Sequence, residues 1–546
     1  MSLRNLRTYL LCLLLVVGIA ISPAKPLKAQ NGFVSAVGAS SSGLAIGWSA
    51  QLDLSARDEL VDWQLVVDEN RATTYFVIEY ENRREVIAES DLSPFGVAYG
   101  IEGAEKAAGL RKEIIEYSLK NDGKDDVEVN IRSYSLPKSS IYALGARGLV
   151  ICLDADTGAI RWKQRVGDPQ SPTVGLGASN DHVAVASATS IYCLDSSDGR
   201  ILWDAACKDG ISTSPGVSEN YLHVPLRSGR LQTFPIEKYG IGSYSRVAQG
   251  SPAARPTFSE KNVIWTTEKG HMNVAPLGRK TVSYRLKADG PILSSAAASK
   301  GFLYTGSLDG FVYAIDEKKG IVDWEVSTGQ GILSAPAAFG DDVFVISGGD
   351  KLFRINTLEG SYPTGWQSPL AGIRQIVGFD SELVYCVSTN GRLLGINRET
   401  RSVSKAVVGT DIEMVLPNTI TDRIYLGSKT GYIQCVHSAD SPLPRLLTSD
   451  LASNAGKSLR EDKSAMGEPN PFGDGSGTKD DTNPFGDGSG TKDDTNPFAD
   501  GSGTKDEGNP FGDGSDTKDG PKKDEENPFG DDSNPFGGAD EDNPFG

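Results

Sequence analysis

The sequence predicts an all-β fold: a β-propeller of about eight four-stranded blades, with a small α+β region before it and an acidic tail behind it. Three observations carry that expectation. Similar segments recur at spacings of 38–42 residues, each alternates apolar and polar residues with a period of two, and Asp-Gly or Asn-Gly pairs separate the alternating runs. A period near 40 fits either a helical solenoid or a propeller blade, and strand alternation favours the blade.

The first 29 residues read as a secretory signal. Arg4 and Arg7 precede a 13-residue apolar run, Tyr9–Ile21, and small residues around Ala24 and Ala29 offer cleavage sites. That run is too short to span a bilayer, which takes ~20 residues. Cys12 lies near the start of the run, whereas a lipid-bearing cysteine would follow it. The expected product is exported, to a bacterial periplasm or cell envelope, with no transmembrane segment. Cys152, Cys193, Cys207, Cys386 and Cys435 remain, an odd number without zinc-site spacing, and read as small buried hydrophobes.

Residues 30–140 lack the 40-residue period. Thr73–Tyr80 and Arg83–Ala88 read as a hairpin of β-branched and aromatic residues. Glu102–Leu119 reads as an amphipathic helix with Ala107, Leu110, Ile114 and Tyr117 on its apolar face, and a strand is expected from Val127 to Tyr134.

The repeats occupy residues 141–450. Residues 149–162 (LVICLDADTGAIRW) align with 190–203 (SIYCLDSSDGRILW) and with 310–324 (GFVYAIDEKKGIVDW). Strand starts fall near Tyr142, Val183, Tyr221, Val263, Phe302, Val343, Leu383 and Ile424. Asp309-Gly310 and Asn390-Gly391 are hairpin turns in which glycine accepts positive φ. A second turn, Asp-x-x-x-Gly, ends at Gly158, Gly199 and Gly320. Eight strand starts suggest eight blades, but the first unit shows no obvious inner strand, so seven stays open.

These residues resemble the quinoprotein (pyrroloquinoline quinone-like) propeller repeat, whose hallmark Ala-Asp-x-Thr-Gly-x-x-x-Trp is matched by Ala155-Asp156-Thr157-Gly158 and Trp162. Trp203 and Trp324 occupy the same place. The resemblance implies that these tryptophans pack between neighbouring blades as structural residues. Enzymes of that family carry long insertions and an adjacent-cysteine disulfide; this chain has neither, with ~40 residues per blade. The resemblance therefore implies the short-bladed, non-catalytic type, which includes the periplasmic scaffold of the outer-membrane protein assembly machine. The alternatives are a quinone-dependent dehydrogenase and a structural envelope protein.

From Leu451 to Gly546 the chain has 23 acidic and 9 basic residues, most of the net charge of -18. Such a balance argues against nucleic acid. Thr-Asn-Pro-Phe-Gly-Asp-Gly-Ser-Gly-Thr-Lys-Asp-Asp recurs with a period of 13, a composition that predicts disorder. The motif stands at Asn470-Pro471-Phe472, Asn483-Pro484-Phe485, Asn496-Pro497-Phe498, Asn509-Pro510-Phe511, Asn527-Pro528-Phe529, Asn534-Pro535-Phe536 and Asn543-Pro544-Phe545. Proline fixes its own φ and asparagine caps the local turn, so each copy offers one aromatic anchor to a protein partner. Asn-Pro-Phe resembles the ligand of Eps15-homology domains, an intracellular module, so the resemblance implies a style of binding.

No catalytic, cofactor-binding or metal-binding residue is expected, and no cofactor. His182, His223, His271 and His437 lack paired spacing. Asp474, Ser476, Thr478 and Asp480 alternate like a calcium loop, but Lys479 stands where glycine is required. Gly456-Lys457-Ser458 lacks the first glycine of a phosphate loop.

Overall fold

The computed structural model describes residues 33–447, apart from residues 56, 82, 125–126, 238–241 and 410–411. The expected signal sequence and all seven Asn-Pro-Phe motifs lie outside the described residues.

Eight antiparallel sheets follow one another around the described chain, and each is one blade of a propeller. Blade five shows how the sequence builds them. Its strands are Ala297–Ser299, Phe302–Gly306, Phe311–Asp316 and Ile321–Ser327, paired in that order. Gly310 turns the central hairpin at φ +91°, while the Asp309 carboxylate accepts the Phe311 N–H at 2.9 Å. Leu303, Val312, Ala314 and Ile315 are fully buried between blades. The next turn closes with the Gly320 N–H on the Asp316 carbonyl at 2.8 Å. Side chains on both faces pack against neighbouring blades, so the two central strands are mostly apolar.

The ring closes with a strand taken from the start of the chain. Leu44–Gln51 is the outer strand of the last blade and pairs antiparallel with Tyr432–Ser438, Ser49 opposite Gln434. Beside it, the Gln434 side-chain amide accepts the Val34 N–H at 2.9 Å and donates to the Val34 carbonyl at 3.1 Å. The inner strand of blade one is the first part of Leu60–Tyr80, paired with Lys138–Gly145. The blade count is eight, and the boundary expected at residue 140 is corrected: two propeller strands precede it. They escaped the sequence reading because a closing strand and an inner strand interrupted by an insertion carry no 40-residue repeat.

The α+β region is an insertion between the first two strands of blade one. After a register shift between Asp68 and Ala72, the long strand continues and pairs with Asn130–Pro137 and with Arg83–Ala88. The expected strand at Val127–Tyr134 is the start of a longer one, Asn130–Gly145. Helix α1 is the short Ala36–Ser41 segment, and α2 spans Gly100–Asn121. Ala104, Ala108, Ile115 and Leu119 of α2 pack on Phe76, Ile78 and Val129. The expected apolar face is corrected: Leu110, Ile114 and Tyr117 are exposed. The helix carries two apolar stripes, and Ala104 and Ala108 let it approach the sheet closely on the stripe with the smaller side chains.

Aromatic residues join blade to blade. Trp162, on the outer strand of blade one, donates its indole N–H to the Ser196 carbonyl in the turn of blade two at 2.9 Å. Its ring covers Gly199, where a Cβ would lie 2.4 Å from the indole. Trp48 repeats this from blade eight to blade one, on the Ala155 carbonyl (2.9 Å) and over Gly158. Trp324 reaches the Thr357 carbonyl of blade six at 2.9 Å and covers Gly360. Tyr284 takes the place of tryptophan between blades four and five, donating to the Glu317 carbonyl at 2.8 Å and covering Gly320. Trp203 is partly buried and lies 6.0 Å from Phe234.

Replacing a buried large aromatic with alanine costs about 3–5 kcal/mol. Trp162→Ala and Trp48→Ala should each destabilise on that scale in urea unfolding, and Trp48→Ala should also loosen the closing strand in hydrogen exchange. Trp203→Ala should cost less, because less of the ring is buried. Equal and negligible effects would contradict the inter-blade role.

Candidate functional site

The inner strands enclose an axial channel of about 890 Å³. Its wall is largely small or apolar: Ala296–Ala298, Ala335–Ala338, Val217 and Pro417. Polar groups gather at Asp62 on blade one. Its carboxylate accepts the Leu176 N–H at 2.9 Å, the Ser214 hydroxyl at 2.7 Å, and the Arg255 guanidinium at 2.6 and 2.7 Å. These donors come from blades two, three and four, so one carboxylate on blade one ties four of the eight blades together. Gln64 adds a second stitch, exchanging both amide hydrogen bonds with the Ala178 backbone.

The donor set of the channel does not fit the quinone and calcium pair of quinoprotein enzymes. Calcium needs six to eight oxygens, usually with several carboxylates. Asp62 is the one carboxylate among the described lining residues, and its oxygens are already taken. Among the described residues no three His, Cys, Asp or Glu side chains form a metal-binding group. Burial pushes the thiols of Cys193, Cys207 and Cys435 up to about 12 and that of Cys152 to about 11, which suits packing and not nucleophilic attack. His223 is fully buried against the Thr233 hydroxyl, and burial lowers its pKa to about 3.

A second cavity, of about 390 Å³, lies where blades eight and one meet the insertion. Tyr75 and Asp91 come from the insertion, Asp156 from the turn between the last two strands of blade one, and Arg423 and His437 from blade eight. The Tyr75 hydroxyl donates to Asp156 Oδ2 at 2.6 Å, while Asp156 Oδ1 is buried without a partner among the described residues. Burial, reinforced by nearby Asp154, raises the Asp156 carboxyl to about 6. Burial and Asp154 act the same way on Asp91. Arg423 is held by the Ser441 and Pro442 carbonyls at 3.0 and 2.8 Å, so it anchors the segment that roofs the cavity.

Residues 146–270 and 259–362 match the family model described as outer membrane protein assembly factor BamB. Those residues are pyrroloquinoline quinone-like propeller repeats. The crystal structure of BamB from Moraxella catarrhalis superposes with a TM-score of 0.47 at 14% identity, covering 55% of this chain and 93% of that one. A computationally designed protein, Ika8, superposes at 0.46 and 16% identity with the same coverage. No curated protein matches the chain.

Within these propeller repeats the motif residues serve the inter-blade joints. Gly158, Gly199 and Gly320 adopt φ of +72°, +77° and +69° beneath Trp48, Trp162 and Tyr284, so each glycine belongs to a joint with the aromatic of the preceding blade. In the sequence each glycine shares a motif with the tryptophan of its own repeat, and only the closed ring brings the aromatic of the preceding blade over it. Asp156, read as part of the repeat motif, also enters the second cavity through Tyr75 of the insertion. The Asp62–Arg255 pair was missed, since 193 residues separate the partners.

A carboxyl whose folded pKa exceeds its unfolded value stabilises the fold when protonated, and that contribution disappears as pH rises through the folded pKa. Between pH 4 and pH 6 the parent should therefore lose on the order of 2–3 kcal/mol relative to Asp156→Asn. Urea denaturation of both proteins across that range measures it. Parallel pH profiles would contradict the assignment.

Proposed function

We propose that this protein is an exported, non-catalytic propeller scaffold of a bacterial periplasm or cell envelope, which binds other proteins through its folded surface and through the Asn-Pro-Phe tail. The observation that carries this reading is the insertion of blade one. The largest elaboration of the ring adds no reactive group to the channel; instead α2 turns Leu110, Ile114 and Tyr117 to solvent at i, i+4 and i+7. Such a stripe is the geometry by which a helix is read by a partner. The family match to an outer membrane protein assembly factor supports a partner in the envelope. No helix among the described residues is long and apolar enough to cross a membrane.

The tail supplies the second part of the reading. Seven copies of one short motif on a single chain bind by avidity, because each contact after the first is intramolecular. One motif buries a single ring and a turn, which corresponds to an affinity of roughly micromolar to millimolar.

Two experiments test the proposal. Titration with pyrroloquinoline quinone and calcium should give no saturable absorbance change and no dye-linked alcohol oxidation; turnover would overturn the scaffold reading. Replacing Phe472, Phe485, Phe498, Phe511, Phe529, Phe536 and Phe545 together with alanine should abolish partner recovery through the tail while leaving propeller melting unchanged, whereas a single replacement should have little effect. Recovery of the same proteins by the seven-fold variant would make the motifs a spacer.

A further inference from the structure

The folded domain contains a Pro-Phe-Gly sequence of its own. Ser93-Pro94-Phe95-Gly96 lies in the insertion, between the edge strand Arg83–Ala88 and helix α2. In the tail the same Pro-Phe-Gly follows asparagine in six of the seven motifs. Asparagine and serine share the preference for the first position of a type I turn, where proline favours the second and glycine the fourth. Both sequences therefore satisfy the same turn rule.

In the insertion that rule is obeyed. The Gly96 N–H donates to the Ser93 carbonyl at 2.8 Å, and Gly96 takes a φ of +76°. The Ser93 N–H donates to the Val97 carbonyl at 2.7 Å, and Leu92 bridges to Ala98 below the turn. The base is tied down as well: the Tyr99 N–H reaches the Asp91 carbonyl at 3.0 Å, the Gly100 N–H reaches the Glu89 carbonyl at 3.0 Å, and the Asp91 carboxylate accepts the Ala88 N–H at 2.8 Å. At the tip Phe95 is 91% exposed, more than any other large apolar side chain among the described residues. Leu92, Val97 and Ile101 are exposed around it. Folding gains nothing from a phenylalanine held in water on a braced turn, and an apolar patch of this kind marks a binding surface.

We propose that Ser93–Gly96 is an ordered copy of the tail motif and binds the same class of partner, a protein pocket that takes one phenylalanine ring presented by a proline turn. The proposal rests on the tail being a ligand and extends it to the folded domain. The turn is already formed, so less conformational freedom is lost on binding, and this copy should bind roughly five-fold tighter than a single motif on a flexible peptide. The exposed Leu92 and Val97 add apolar contact on either side of the ring.

A purified Eps15-homology domain serves as the probe, titrated by calorimetry onto the full chain, onto the chain with all seven tail phenylalanines replaced by alanine, and onto that variant with Phe95→Ala added. The seven-fold variant is expected to keep one site, about five-fold tighter than a 13-residue peptide carrying one Asn-Pro-Phe-Gly, and Phe95→Ala should remove it with no change in melting. Gly96→Val, which strains the positive φ, should weaken the same site by a similar factor. Binding by the parent but none by the seven-fold variant would overturn this inference and leave the tail reading intact. A single site on the parent, unchanged in the seven-fold variant and removed by adding Phe95→Ala, would overturn the tail reading and, with it, the inference that the two sequences share a partner. A residual site insensitive to Phe95→Ala, or no binding by the parent, would overturn the inference.

Discussion

The fold depends on one contact repeated between blades: an aromatic side chain on the outer strand of one blade donates a hydrogen bond into a turn of the next and covers a glycine there. Its parts require each other. The turn carbonyl is shielded by the ring that lies on it, so it needs the indole or phenol as donor, and an unpaired buried acceptor costs about 1–3 kcal/mol. The ring needs a residue without Cβ beneath it, and Gly199 leaves no room for one. Positive φ at that glycine reverses the chain into the outer strand, which carries the next aromatic. A propeller is held together by such neighbour contacts, with no single central core.

Closure of the ring places the same contact on a strand from the other end of the chain. Trp48 joins blade eight to blade one as Trp162 joins one to two, so the strand Leu44–Gln51 supplies both the missing ladder and the missing latch. Blade eight also carries a buried polar pair next to its second strand. Asp422 and Arg423 are both buried; Asp422 accepts the Arg445 N–H and Ser441 hydroxyl, while Arg423 donates to the Ser441 and Pro442 carbonyls. Removing one partner of such a pair leaves an uncompensated buried charge, which is costly. The pair thereby fixes the segment after blade eight over the sheet of the insertion.

The insertion shows how a repeat fold acquires a new surface without disturbing its ring. It leaves blade one between the two innermost strands, as a continuation of those same strands, so their ladder is lengthened and not cut. Its own small core lies between the sheet and α2. Its exposed face includes two apolar features, the stripe on α2 and the Phe95 turn. Surface chemistry is thus concentrated away from the channel, where Asp62 and Arg255 neutralise each other across four blades.

The sequence by itself determined the blade. A 40-residue period, two-residue alternation and turn glycines are local signals, and local hydrogen bonding and strand geometry suffice to read them. The tryptophans and glycines of the motif were legible for the same reason, and so was the insertion helix, but not the face it buries, because two apolar stripes compete and only the width of the gap to the sheet selects between them. Tertiary structure decided everything that depends on distant segments meeting: the closing strand, the inner strand of blade one, the ownership of each glycine by the preceding blade's aromatic, and the Asp62–Arg255 pair. Burial of Asp156 beside Tyr75 belongs with these, since desolvation is created by packing and leaves no mark on composition.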